Sequence, residues 1–236
     1  MSHPHHSVDP RDTPIPAEEV NASAHYVMYS VFQTIAPVSP EAVAAAEEAL
    51  AGTGVTVRGF YDIGGFRADA DLMMWTISDD PQALQAAYHA MRNSSLGVSL
   101  EPVWSCIGVH RPAEFNRGHT PACFSGIAPR PWLCVYPFVR SYDWYNIDDA
   151  HRSKMLSEHG KMGREYPDVL GSTTSAFALN DYEWLLAFEA DELHRLTDAM
   201  RYQRGAEARL HVREETPFFT GPRVSLAEWA ARQPAA

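Results

Sequence analysis

The sequence lacks what would tie it to a disulfide framework, a membrane or a polynucleotide. Its three cysteines, Cys106, Cys123 and Cys134, are odd in number and show no C-x-x-C spacing. That excludes a disulfide scaffold and a thiolate zinc site, and predicts reduced, buried thiols of a cytoplasmic protein. No apolar run approaches the ~20 residues of a membrane-spanning helix. The opening Met-Ser-His-Pro-His-His-Ser-Val-Asp-Pro has neither the basic nor the apolar part of a signal peptide. Clustered Lys and Arg are missing as well, and with a net charge of -11 nucleic acid is excluded as the main partner. What is present suits a globular chain: of 236 residues 45% are hydrophobic and 11% aromatic, enough for a real core in one large domain or two small ones.

Read in order, residues 1–23 are expected to form a disordered, solvated arm, whose histidines could hold no more than stray divalent metal. Residues 24–35 are rich in β-branched and aromatic side chains and predict a strand. Ser39-Pro40-Glu41 opens a helix with a serine cap, a proline in the first turn and an acid near the positive end. Two strands follow at 55–63 and 70–78, joined by a turn at Gly64-Gly65. A helix capped by Asp80 carries Leu84, Ala87, Tyr88 and Met91 at helical spacing, and 97–110 returns as a strand. Strand, helix, strand, strand, helix, strand is the ferredoxin-like unit. Residues 111–130, with three prolines, two glycines and His119, read as a linker.

The order then repeats in 131–236: a strand at 132–142, a helix at 148–166, strands at 169–179 and 183–190, a helix at 191–202 and a strand at 208–216. A short helix at 225–232 follows. The fold class predicted is α+β, two tandem βαββαβ ferredoxin-like units (24–110 and 131–236) of the dimeric α/β-barrel type. Sheets of this kind cover one face with helices and leave the other to the partner repeat or to a ligand.

Within the second unit, Tyr136, Phe138 and Arg140 stand two apart on an extended segment and so share one face. A phenol and a guanidinium offered to one partly buried space suggest a pocket for an acidic, largely apolar ligand. On the helix after it, His151, Met155, His159 and Met162 fall on one stripe, and Gly160 and Gly163 leave the backbone open to something flat. Taken singly, each residue has a plainer account. Tyr136 reads equally as a core tyrosine, Arg140 as the partner of Asp143 or Asp148, and Trp144 as packing. His119 reads as a solvated loop histidine and His159 as a partly exposed helix histidine rather than a haem ligand.

Four segments together carry a resemblance: the Tyr136-Pro-x-x-Arg140 strand, Glu158-His-Gly-Lys-Met-Gly-Arg-Glu-Tyr166, Asp181-Tyr-Glu-Trp-Leu-Leu-Ala-Phe-Glu189 and Arg213-Glu-Glu-Thr-Pro-Phe-Phe-Thr-Gly221. Over about residues 24–223 the chain resembles the chlorite dismutase-like superfamily, and within it the coproheme decarboxylase branch of the actinobacterial type. The resemblance implies that 131–236 binds iron coproporphyrin III, at once substrate and redox centre. Two of its propionates become vinyls with hydrogen peroxide as co-substrate, and haem b is the product. It implies His159 as iron ligand and Tyr136 as the hydrogen-abstracting tyrosyl radical. Arg140, Phe138 and Trp144 become substrate contacts, and His119 the base that takes a proton from peroxide.

A homo-oligomer, typically a pentamer, and a ferrochelatase as porphyrin donor are further implications. Two other classes share the fold. One is a chlorite dismutase or generic haem peroxidase; chlorite dismutases proper need a distal arginine, which 169–179 does not carry and for which Arg209 is the nearest candidate. A haem carrier or sensor needs His159 but not Tyr136.

Overall fold

Single side chains set the helix starts. The structure, a computed structural model, describes residues 9–234. Ser39 Oγ accepts from the Ala42 amide at 3.2 Å and Asp80 Oδ1 from the Gln82 amide at 2.9 Å. Asp148 Oδ1 accepts from the His151 amide at 3.0 Å. Each satisfies an amide that has no partner inside its own helix.

After a short helix α1 (Ala17–Val20), the first half runs β1 (Tyr26–Thr34), α2 (Pro40–Ala51), β2 (Thr56–Asp62), β3 (Leu72–Ser78), α3 (Pro81–Asn93) and β4 (Leu100–Val109). The second half runs β5 (Trp132–Arg140), α4 (Asp149–Gly163), β6 (Leu170–Ser175), β7 (Trp184–Ala190), α5 (Leu193–Gln203), β8 (Val212–Glu214), β9 (Phe219–Val224) and α6 (Leu226–Ala230).

The strands are antiparallel, ordered β4-β1-β3-β2 in the first half and β6-β7-β5-β9 in the second. These are the same ferredoxin-like order, read in opposite directions. Two seams join them, β4 to β6 through Val109 and Ser175, and β2 to β9 through Phe60–Val224 and Tyr61–Arg223. The eight strands therefore close into a ring. The α+β, tandem ferredoxin-like architecture expected from the sequence is the one observed.

Alternation along each strand then sorts the side chains. Val27, Tyr29, Val31, Met73, Trp75, Leu133, Val135, Leu185 and Ala187 point into the ring and form one core shared by both halves. Inside it Arg58 Nη2 of β2 meets Glu189 Oε2 of β7 at 2.6 Å, with the side chains 6% and 1% exposed. The other Glu189 oxygen accepts the Arg130 amide at 3.2 Å. A buried pair of this kind persists only when its remaining hydrogen-bonding sites are satisfied. The face left open in the sequence reading is thus taken by the partner repeat.

Two expectations change. The last strand of the second unit is not 208–216: Glu207–His211 is a 3-10 turn, and β8 only lengthens the end of β5 through Val139–Glu214 and Arg140–Val212. The fourth strand is β9, which pairs with β5 at four positions from Trp132–Pro222 to Val135–Phe219. Gly221 allows its approach to β2, since a side chain there would strike the Asp62 carbonyl.

The arm expected to be disordered is held in place from residue 9 onward. Asp12 pairs with the buried Arg130 at 2.9 Å, Arg11 with Asp191 at 2.8 Å, and the Asn21 amide donates to the Arg117 carbonyl at 2.7 Å. Gly126 (φ +71°) lets the Thr13 backbone lie against the 111–130 segment, where a Cβ would meet the Thr13 carbonyl. The histidines at positions 3, 5 and 6 lie outside the described residues. All three cysteines are free thiols. Burial pushes Cys106 and Cys123 up to about 12 and Cys134 to about 11, which keeps them protonated and inert.

Candidate functional site

On the outer face of the second half, α4 and α5 lie over β5 and β7 without filling the space beneath them. The cause is in α4: of its fifteen residues only Arg152 and Met155 are buried. The gap is a cleft open to solvent, with a cavity of about 70 Å³. Tyr136, Phe138 and Arg140 of β5 and Leu186 of β7 form its floor. His159 of α4 enters from above, and Met200, Gln203 and Arg204 line the α5 side. Ala208, Arg209, Val212 and Glu215 complete it.

Tyr136 is buried. Its ring stacks on Phe218 at 4.5 Å between centroids, and its hydroxyl donates to Met200 Sδ at 3.4 Å. Burial, followed by the nearby Glu215 carboxylate, pushes its acidity far below that of an ordinary phenol. It stays protonated, and any oxidation must remove a proton with the electron.

Arg140 lies between two rings, 4.1 Å from the Trp144 centroid and 4.9 Å from that of Phe138. Its Nη1 donates to the Ala208 carbonyl at 3.3 Å, and burial lowers its pKa to about 10. Among the described residues its guanidinium meets no carboxylate: Glu183 accepts from its backbone amide, and Asp143 and Asp148 are engaged by Ser141 and by the α4 amide. The plainer account, a structural ion pair, is not what the fold builds.

His159 is half-buried, and its ring makes no hydrogen bond among the described residues. Burial, then Arg140 and His119, hold its pKa below the usual histidine value. A neutral imidazole with a free nitrogen is the state that binds metal. The described residues hold no group of three His, Cys, Asp or Glu fit for a metal ion. Iron held by His159 would thus need its other donors from a ligand, as a porphyrin provides. The apolar walls of Phe138, Leu186, Met200 and Val212 and the three guanidiniums of Arg140, Arg204 and Arg209 fit a flat molecule with carboxylates on its rim.

The family model for chlorite dismutase matches residues 39–224. The chain belongs to the chlorite dismutase family. The coproheme decarboxylase of Mycolicibacterium smegmatis is 50% identical over 226 residues, 92% of this chain and 97% of that protein. That of Staphylococcus carnosus is 22% identical over 68% of this chain and 70% of its own length. A mutant chlorite dismutase of Candidatus Nitrospira defluvii superposes with a TM-score of 0.80 at 20% identity, covering 91% of this chain and 98% of that one, a likeness of fold.

Within this chlorite dismutase fold the site residues named from the sequence separate into three groups. The cleft brings together Tyr136, Phe138, Arg140 and His159. Trp144 does not line it: the chain leaves the strand after Arg140, and a 3-10 turn at Trp144–Asn146 lays the indole under the guanidinium, packed with Met155 and Ala208. His119 is exposed on its loop, outside the lining, yet near enough for its charge to act on His159. On β6 the outward residues are Gly171, Thr173 and Ser175, so no arginine stands on that strand. Arg209 reaches the cleft from the 3-10 turn, engaged with Glu215 at 3.3 Å. Met200, Gln203, Arg204 and Glu215 were not singled out from the sequence, although Met200, Gln203 and Arg204 stand at helical spacing (i, i+3, i+4) on α5.

Proposed function

We propose that the chain catalyses the oxidative decarboxylation of two propionates of iron coproporphyrin III by hydrogen peroxide, giving haem b through a monovinyl, tripropionate intermediate. One observation carries this reading: a half-buried guanidinium, Arg140, that meets no carboxylate among the described residues and shares a floor with a buried phenol. Such a cation implies an anionic ligand, and His159 above it, whose ring makes no hydrogen bond among the described residues, would hold that ligand's iron.

For each propionate, R–CH2–CH2–COOH and H2O2 give R–CH=CH2, CO2 and two H2O. The side chain gives up two electrons and peroxide accepts them. The bound iron porphyrin supplies the redox chemistry with peroxide; the protein supplies geometry and proton traffic. His159 holds the iron as a neutral base. His119, on the loop beside the site, takes a proton from peroxide. Tyr136 loses its hydroxyl hydrogen and, as a radical, takes hydrogen from the propionate β-carbon. Arg140 holds that carboxylate so that the carbon faces the phenol. Phe138 and the stacked Trp144 keep the guanidinium in place.

A pentameric homo-oligomer, a cytoplasmic location and a ferrochelatase that delivers the porphyrin belong to the same reading. No helix among the described residues is long and apolar enough to cross a membrane.

The test is to mix purified protein with ferric coproporphyrin III and titrate peroxide. Two stepwise mass losses ending at haem b are expected. Oxygen evolved from chlorite, or porphyrin binding without turnover, would replace this reading by a dismutase or by a carrier.

A further inference from the structure

The three guanidiniums at the cleft are not equivalent. Among the described residues the Arg140 guanidinium meets no carboxylate, whereas Arg204 and Arg209 share one. Arg204 Nη1 lies 2.7 Å from Glu215 Oε2, and Arg209 Nη2 lies 3.3 Å from the same oxygen. Glu215, between β8 and β9, has a side chain only 15% exposed, while the two arginines are 39% and 36% exposed. Its carboxylate sits in the wall between the cleft and a neighbouring hollow lined by Arg213, Thr216 and Phe218. The phenol of Tyr136 lies within electrostatic reach of all three charged groups. An internal carboxylate thus occupies the two cations nearest the reacting tyrosine, at the rim where a ligand's own carboxylate would enter.

We propose that Glu215 is an internal stand-in for a substrate carboxylate, releasing Arg204 and Arg209 to share with Arg140 the carboxylate of the reacting propionate and reclaiming them once that propionate has become a vinyl. This rests on the decarboxylase reading above. The hollow on its far side gives the displaced carboxylate room to swing outward. The exchange is easily reversible, because ion pairs this exposed shift an equilibrium by no more than about fivefold.

Its effect is selective. A tetracarboxylate porphyrin must break the Glu215 pairs in order to bind, and its affinity is lowered by that amount. The product has a vinyl at this corner and leaves the pairs intact. Without Glu215, two unpaired cations would favour any porphyrin that kept a propionate at this corner. Glu215 is in this sense a selectivity residue that levels the affinities of substrate and product; it does not touch the reacting atoms.

The test uses the full chain without peroxide, titrating ferric coproporphyrin III and haem b separately into wild type and Glu215→Gln. Coproporphyrin is expected to bind Glu215→Gln about fivefold tighter, with haem b affinity unchanged. Equal shifts for both ligands, or no shift for coproporphyrin, would overturn the proposal. Should Glu215→Gln fold poorly, Arg209→Gln serves in its place: coproporphyrin should weaken and haem b should not, and parallel losses would overturn the idea. Glu215→Asp, which keeps a carboxylate, should restore part of the wild-type ratio. Wild type that turns over peroxide and coproporphyrin to haem b, with no contrast in either variant, overturns the role of Glu215 alone. Wild type that forms no haem b overturns the underlying reading.

Discussion

The two halves share a strand order and differ in what lies between sheet and helices. In the first half, Phe32, Leu72 and Met74 on the strands meet Val43, Ala46 and Leu50 of α2, Ala87 and Met91 of α3, and Leu226 and Trp229 of α6, all buried. In the second, the corresponding face offers Tyr136, Phe138 and Arg140, and α4 has almost nothing apolar to set against them. The same frame is a filled core on one side and a cleft on the other. What distinguishes them is the composition of one helix, together with a third helix, α6, that reaches back to cap the first half.

The widest separation between the halves is chemical. Tyr136→Phe should still bind ferric coproporphyrin and lose vinyl formation altogether, as read by mass spectrometry of the extracted porphyrin; a full yield of haem b would falsify the radical role. Next comes the bond that couples the halves. Arg58→Met leaves Glu189 buried without its partner and should cost about 3–5 kcal/mol, seen as a loss of stability in denaturant melts. A third comparison sets matched truncations on the two outer faces side by side. Leu72→Ala, in the filled half, should cost about 2–5 kcal/mol. Leu186→Ala, half-exposed on the cleft floor, should cost about 1 kcal/mol. Equal losses would mean that the cleft is packed as tightly as the core.

The smallest effect is one of pH. His159 has a folded pKa below its unfolded one, so between the usual value near 6.5 and the folded value the unfolded chain binds the extra proton. Stability should therefore fall as pH drops through that window and level off below it. In His159→Ala the slope from pH 7.5 to 5.5 should be shallower than in wild type. An identical slope would show the imidazole to be solvated.

The frame was legible in the sequence where local chemistry decides it. Ser39, Asp80 and Asp148 each start the helix expected of them, and alternation along 132–140 put Tyr136, Phe138 and Arg140 on one face. The misplaced elements depend on distant partners. β9 is a strand because β5 and β2 flank it, whereas of the expected 208–216 strand only Val212–Glu214 is extended and Glu207–His211 is a 3-10 turn. Residues 9–23 look solvated by composition, and are ordered by Arg130 and the 111–130 backbone.

At the site, Tyr136, Arg140 and His159 were within reach of spacing arguments combined with family resemblance. Glu215 and Arg204 were not, because their meaning lies in a pairing across eleven residues and a turn.

The position of β9 also bears on how the chain is made. β9 at 219–224 pairs with β5 and β2, and α6 covers the first half. During synthesis the first ferredoxin-like unit would emerge with the outer edge of β2 bare and part of its helix face unroofed, until about a hundred further residues had followed. An unpaired strand edge held open that long is a template for association with other nascent chains. The short β2–β9 seam, two residue pairs wide, is the contact whose late formation ends that exposure.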